Sequence, residues 1–216
     1  RAGGPRSAPP PGGGGGSGRR SAPLPNAFPA NLAWLPLAGE VLFYDADKEA
    51  ADRAITSADT IFCLDFNQLS RLGDAATTVA GAGAVKVLID HHLQPSDEFD
   101  ILVSAPEACS TAELVYRVLT GLFGLEQLSF DMAQCIYTGM MTDTGSFAYA
   151  STRKDIYLIV AELLGKGIDK DAIYRKVFYN ASLSKMRMWG YAMCDKLKHY
   201  NKYNAALITL SHGELM

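Results

Sequence analysis

Short apolar runs that each stop at a carboxylate constrain the fold of this chain more than any other feature. Residues 60–64 precede Asp65, and residues 85–89 precede the tripeptide Asp90-His91-His92. Asp143 ends a third apolar stretch in the same way. A β-rich run that stops at a polar residue delivers that side chain to the carboxyl edge of a parallel sheet, where open α/β folds place their ligands. We therefore expect these residues to converge.

Two aspartates with one or two histidines supply hard oxygen and imidazole ligands. Such a mixture suits Mn²⁺, Mg²⁺ or Zn²⁺ better than a thiolate site would. For a single site, the simpler interpretation is that Asp90 caps a turn while His91 and His92 lie on the surface. Three regularly placed sites favour the metal interpretation.

From about residue 40 the sequence alternates between strand-like and helix-like segments. This alternation predicts an α/β fold, a parallel sheet flanked by helices, over residues 31–150. A capping box, Ser110-x-x-Glu113, marks one helix start. The predicted strands are 41–44, 60–64, 85–89 and 101–103, and the predicted helices are 48–57, 75–82, 110–122 and 131–143.

The two ends of the chain differ from this central part. Residues 1–30 are rich in proline and glycine, which predicts a disordered, non-native segment. Residues 151–200 are predicted to be helical, with helices at 154–164, 170–178 and 184–199, and to lead into a linker. Residues 201–216 are predicted to begin a second, truncated domain with an unpaired strand at 205–210.

Charge, hydropathy and cysteine spacing limit the classes of function. The net charge is −3, and the first 39 residues hold four arginines and no acid, so the remainder is distinctly acidic. An acidic body argues against sequence-independent binding to a long nucleic acid, but not against a small nucleotide held by metals. The sequence has no apolar run long enough to cross a bilayer. Four widely spaced cysteines predict reduced thiols and a cytoplasmic protein.

At these residues the chain resembles the DHH phosphoesterase superfamily. It is most similar to the small oligoribonuclease/pAp-phosphatase (nanoRNase-like) enzymes, relatives of the RecJ exonuclease. The resemblance covers residues 24–210. Its motifs are Leu64-Asp65-Phe66-Asn67 with Arg71, Ile89-Asp90-His91-His92, Ser110-Thr111-Ala112-Glu113, and Tyr137-Thr138-Gly139 through Thr142-Asp143-Thr144-Gly145-Ser146-Phe147.

The resemblance implies a role for each motif residue. Asp65 would bridge two Mn²⁺ ions, with Mg²⁺ or Co²⁺ as alternatives, while His91 and Asp143 would each bind one. Asp90 would orient the neighbouring histidine, and His92 would contact the substrate phosphate. Apart from the resemblance, Arg71 lies six residues after Asp65 and could pair with a motif carboxylate or touch phosphate; a structural ion pair explains it equally well.

The chain also departs from the family pattern. The family's first motif, a histidine followed closely by Asn-Pro-Asp-Gly-Asp, has no counterpart, since His91 is the first histidine. The glycine-rich Gly-Gly-Gly-His signature of the family's C-terminal substrate domain is missing too. We therefore expect a fragment that lacks both parts.

The implied function is metal-dependent hydrolysis of short oligoribonucleotides, pAp or linear dinucleotides such as pApA, with short RNA or a nucleotide as the partner. Pyrophosphatase or polyphosphatase activity is the alternative. A second alternative is a non-catalytic, weakly metal-binding fragment, because three ligands remain of the six that the family uses. A homodimer is an open expectation, and no membrane partner is expected.

Overall fold

A three-stranded parallel sheet with the order β3-β4-β5 forms the centre of the molecule, as a computed structural model describes it for residues 21–179 and 181–215. Two further pairs of strands lie outside this sheet, β1 parallel to β2 and β6 antiparallel to β7. The strands are β1 (Ala22–Leu24), β2 (Val41–Phe43), β3 (Thr60–Leu64), β4 (Val85–Asp90), β5 (Ile101–Ser104), β6 (Lys198–Tyr200) and β7 (Ala205–Leu207).

The helices alternate with these strands up to β5 and then dominate. In the described part of the chain they are α1 (Lys48–Thr56), α2 (Ala76–Gly81), α3 (Thr111–Phe123), α4 (Phe130–Asp143), α5 (Lys154–Gly165), α6 (Lys170–Phe178), α7 (Leu183–Tyr191) and α8 (His212–Leu215). None of the helices described combines the length and the hydropathy that crossing a membrane requires.

The central strand β4 is buried on both faces, which explains its almost continuous apolar sequence. Val87 and Ile89 point to one face and pack against Leu114 of α3. Leu88 points to the other face and shares a core with Ile55 of α1. The sheet therefore has helices on both sides, and the predicted α/β class is confirmed.

A second core lies among α4, α5 and α6. Met140, Ile156 and Leu163 are fully buried in it. This core fixes the position of α4, whose last residue is Asp143.

Two predictions for the chain ends need correction. Residues 1–20 of the predicted disordered segment lie outside the described residues, but residues 22–24 form β1 and are not disordered. Strand β1 pairs with β2, and the Tyr44 amide donates a 2.8 Å hydrogen bond to the Leu24 carbonyl, so the backbone groups of this segment have hydrogen-bond partners. Proline-rich sequence adopts an extended conformation readily, so this segment forms a strand where a neighbouring strand is present to pair with it.

The predicted strand at 205–210 does have a partner. The helix expected over 184–199 is α-helical to Tyr191 and continues as a π-helical segment to Lys196, after which Lys198–Tyr200 pairs with Ala205–Leu207. The turn between them contains Asn204 in the left-handed conformation (φ 47°). Asparagine tolerates that conformation, so the turn chemistry outweighs the helical pattern.

Candidate metal centre

The carboxyl edge of the sheet brings Asp65 and Asp90 to the same level. Leu64 pairs with Ile89 in the parallel register of β3 and β4, and an aspartate follows each. Asp65 takes the left-handed conformation (φ 68°), and its amide donates to the Ile89 carbonyl at 3.2 Å. The Asp65 side chain is 62% exposed, so it is available to a ligand.

His91 is oriented by a backbone carbonyl. Its Nδ1 lies 3.2 Å from the carbonyl oxygen of Ala108. Because a carbonyl only accepts, we assign a proton to Nδ1. Nε2 then faces Asp65 Oδ1 at 3.7 Å and Asp143 Oδ2 at 3.3 Å. An imidazole anchored through one nitrogen in this way is the form that commonly binds a metal through the other.

Asp143 reaches the same point from the C-terminal end of α4. Partial burial raises the pKa of its carboxyl; His91 opposes this rise, and the negative charge of Asp65 adds to it. The C-terminal end of a helix carries partial negative charge, which disfavours a further carboxylate there. A cation would relieve both effects, so the electrostatics at this residue favour binding a positive ion.

The three residues predicted as ligands are therefore close together. Both carboxylate distances start from one nitrogen, so the Asp65 and Asp143 oxygens are at most about 7 Å apart, compatible with ions separated by about 4 Å. One ligand atom each from Asp65, His91 and His92 also lies within 4.8 Å of the others. This donor set of carboxylate oxygens and imidazole nitrogens fits a hard divalent cation.

Asp90 contacts His92 and not His91. It is fully buried, and its Oδ1 accepts a 2.7 Å hydrogen bond from His92 Nδ1. Its Oδ2 has no hydrogen-bond partner among the described residues. The bond to Asp90 raises the pKa of His92, with smaller contributions from Asp65 and Asp143, while burial opposes the rise. His92 therefore keeps a positive charge to higher pH than an ordinary histidine.

Arg71 is not brought into this group by any described contact. It lies exposed on a 3₁₀ segment, Leu69–Ala75, that follows the Asp65 motif. Within residues 21–179 and 181–215, no hydrogen bond or ion pair joins its guanidinium to the cluster. Phe147, which follows Asp143 in the same motif, packs against the rings of Tyr137 and Tyr157 at centroid distances of 5.8 and 6.4 Å.

Sequence reasoning missed the residues that hold the ligands in place. The Thr111 hydroxyl donates to Asp65 Oδ1 at 2.8 Å, and the Ala108 carbonyl holds His91. The capping box at Ser110 and Glu113 signals where α3 begins. No local pattern indicates that this helix start contacts Asp65, which lies 46 positions before Thr111.

The family follows from a comparison with known sequences. The profile described as "DHH family, N-terminal domain" matches residues 24–140, which is more than half of the chain. The chain belongs to the DHH family. This family consists of metal-dependent phosphoesterases, so the protein is a member of a hydrolase family. Asp65 and His91 lie within the matched residues, and Asp143 lies just beyond their C-terminal end.

Curated relatives are similar over the same region. The bifunctional oligoribonuclease and PAP phosphatase NrnA of Thermus thermophilus is 36% identical over 80 residues, covering 37% of this chain and 24% of that protein. Its namesake from Bacillus subtilis is 26% identical over 111 residues, covering 51% of this chain and 35% of that protein. The matched segment thus spans about a quarter to a third of these relatives.

A solved structure is similar over nearly the whole chain. It is described as an exopolyphosphatase-related protein from Bacteroides fragilis, and it is 47% identical with a TM-score of 0.87. The match covers 90% of this chain and 57% of that one. The fold described above is therefore shared with an experimentally determined structure.

Proposed function

We propose that this chain forms the metal-binding part of a Mn²⁺-dependent phosphoesterase that cleaves short oligoribonucleotides, pAp or linear dinucleotides such as pApA. The observation that carries the proposal is the convergence of Asp65, His91 and Asp143 from three separate elements. Mg²⁺ and Co²⁺ are alternative ions, because both accept the same oxygen and nitrogen donors.

The side chains of the site have different proposed roles. Asp65, His91 and Asp143 would hold the ions, which when bound polarise the phosphoryl group and activate water for in-line attack. His92, whose Nδ1 bonds to the Asp90 carboxylate, would contact a phosphate oxygen through Nε2 and donate a charge-assisted hydrogen bond to it when protonated. We propose that the exposed Arg71 guanidinium contacts the phosphate as well.

The substrate class rests on the relatives' names. The relatives from T. thermophilus and B. subtilis are described as oligoribonucleases and PAP phosphatases. The relative from B. fragilis is described as exopolyphosphatase-related, so a pyrophosphatase or polyphosphatase is the second candidate. The cysteines described are all free, in agreement with a reducing compartment, and we place the enzyme in the cytoplasm.

Metal binding is the first test. Mn²⁺ is titrated into the purified 216-residue chain and followed by electron paramagnetic resonance. His91→Ala should weaken binding by at least about tenfold, because it removes a proposed ligand. His199→Ala, an exposed histidine on β6, is the matched control and should bind as the unsubstituted chain does. Equal Mn²⁺ affinity in all three proteins would refute the site.

Substrate choice is tested with the same protein. Hydrolysis of pAp, pApA and a short RNA is compared with hydrolysis of pyrophosphate and polyphosphate, each with Mn²⁺ in excess. Turnover confined to the nucleotides supports the proposal, and turnover confined to the inorganic substrates supports the second candidate. Tight Mn²⁺ binding without any turnover would favour a non-catalytic metal-binding module.

A further inference from the structure

Asp65 combines a strained backbone with an exposed side chain. Its φ of 68° lies in the left-handed region, which costs a non-glycine residue free energy. Its carboxylate is largely exposed, so packing against neighbours does not select one side-chain rotamer. A directed contact must therefore select the rotamer if Asp65 is to present a fixed oxygen to a ligand.

Thr111 supplies the directed contact. Its hydroxyl donates to Asp65 Oδ1 at 2.8 Å, and in the described part of the chain this is the one hydrogen bond that the carboxylate accepts. Thr111 itself is 6% exposed, so water competes poorly for the bond. A neutral donor engages one lone pair of Oδ1 and leaves the other, together with Oδ2, free for a cation.

The helix does not need this hydroxyl. Ser110 is the N-cap of α3, and its Oγ accepts from the Glu113 amide at 3.2 Å. The Glu113 carboxylate reaches back to the Cys109 amide at 2.8 Å. The N-cap hydrogen bond of α3 therefore does not involve the Thr111 hydroxyl, which bonds to Asp65 instead.

The turn that carries Thr111 is held by several hydrogen bonds and ion pairs. Glu113 is fully buried and accepts from Arg117 Nε at 2.9 Å and also from Arg153. The Arg153 guanidinium additionally donates to the Glu107 carbonyl at 3.0 Å. The same turn supplies the Ala108 carbonyl that orients His91. This one turn therefore contacts two of the three proposed metal ligands, Asp65 and His91.

We propose that Thr111 is a positioning residue for the metal site: its hydroxyl fixes the rotamer of Asp65 and thereby the direction of the carboxylate toward a divalent cation. This inference rests on the proposed function, since it concerns the same site. Thr111 does not touch the cation in this arrangement; it acts through Asp65.

Three variants separate positioning from packing. Thr111→Val keeps the shape and removes the donor, whereas Thr111→Ser keeps the donor and removes a methyl group. Thr120→Val is the matched control. It removes a hydroxyl from the same helix whose hydrogen bonds, among the described residues, are to the Tyr116 and Arg117 carbonyls. If Thr111→Val does not fold, Thr111→Ala takes its place.

Two measurements are made on each protein. Three-bond NMR couplings in the metal-free chain report whether Asp65 occupies one χ1 rotamer, and Mn²⁺ titration reports the affinity. We expect Thr111→Val to average the Asp65 rotamers and to weaken Mn²⁺ binding by about 10–100-fold, the usual effect of losing a group that orients a ligand. Thr111→Ser and Thr120→Val should keep one rotamer and bind within about threefold of the unsubstituted chain.

The outcomes are distinct. A single Asp65 rotamer in Thr111→Val, or unchanged Mn²⁺ affinity despite averaging, would overturn the inference. A purely structural role would lower the stability of Thr111→Val and of Thr111→Ser alike and leave the rotamer unchanged. If the unsubstituted chain binds no Mn²⁺ while Thr111→Val still averages the rotamers, the proposed function fails but the coupling of Thr111 to Asp65 holds.

Discussion

The backbone of Asp65 shows how a single residue can favour function over stability. A left-handed conformation costs an L-residue roughly 1–2 kcal/mol, whereas glycine adopts it freely. Asp65 nevertheless takes φ 68° at the end of β3, where its carboxylate lies beside His91. Such outliers concentrate at functional sites, and the rest of the structure compensates for them.

Two substitutions test this strain. Asp65→Gly and Asp65→Ala both remove the carboxylate and its bond to Thr111. Glycine tolerates positive φ, whereas alanine loses less backbone entropy on folding, so the two effects oppose each other. We expect Asp65→Gly to be more stable than Asp65→Ala by about 1 kcal/mol in urea unfolding of the metal-free protein. An alanine variant at least as stable as the glycine variant would show that the backbone strain at this position does not exceed the entropy advantage of alanine.

At the scale of the elements, the approach of α4 to α3 determines where Asp143 lies. Gly139 is one turn before Asp143, and a Cβ built on it would lie 2.7 Å from the Cβ of Ala112. Real Cβ atoms do not approach so closely, so glycine is what allows the two helices to meet. The contact fixes α4 laterally and with it the carboxylate at its end.

Gly139→Ala should therefore push the helices apart. Over-packing of this kind costs about 1–3 kcal/mol, and Mn²⁺ affinity should fall with it because Asp143 moves. Gly121→Ala on α3 is the matched control, because a Cβ there meets nothing within 4 Å and should stabilise the protein by about 0.5–1 kcal/mol. Thermal unfolding and Mn²⁺ titration check both, and equal behaviour of the two variants would contradict the close approach.

The sequence predicts elements far better than the contacts between them. Strand β3 and helix α6 have the bounds that their apolar patterns indicate, because local periodicity and burial agree there. The terminal hairpin was missed because the turn chemistry around Asn204 competes with a helix-like pattern. The aspartates and histidines of the site are visible as strand-end residues, whereas Thr111 and the Ala108 carbonyl depend on a long-range contact that no local pattern encodes.

At the scale of the whole molecule, Glu113 connects the sheet to the helical core. It lies on α3, which covers one face of the sheet, and it pairs with Arg153 immediately before α5. Burial would raise the pKa of the Glu113 carboxyl, but the Cys109 amide and the Arg117 and Arg153 guanidinium groups outweigh burial and hold the pKa below its usual range. A buried carboxylate with three partners is costly to protonate.

The sign of the resulting pH dependence follows from this lowered pKa. A carboxyl whose pKa is lower in the folded state contributes stability that is present above its unfolded pKa, about 4.3, and is lost as the pH falls through the folded value. The unfolding free energy should therefore fall below about pH 4, and Glu113→Gln, which cannot titrate, should show a shallower fall over that range. Urea unfolding at a series of pH values measures this slope. Glu49→Gln, which changes an exposed glutamate on α1, is the control and should keep the slope of the unsubstituted chain. If the Glu113→Gln slope is as steep as that of the control, other carboxylates control acid unfolding. The link between the sheet and the helical core would then not depend on the charge of Glu113.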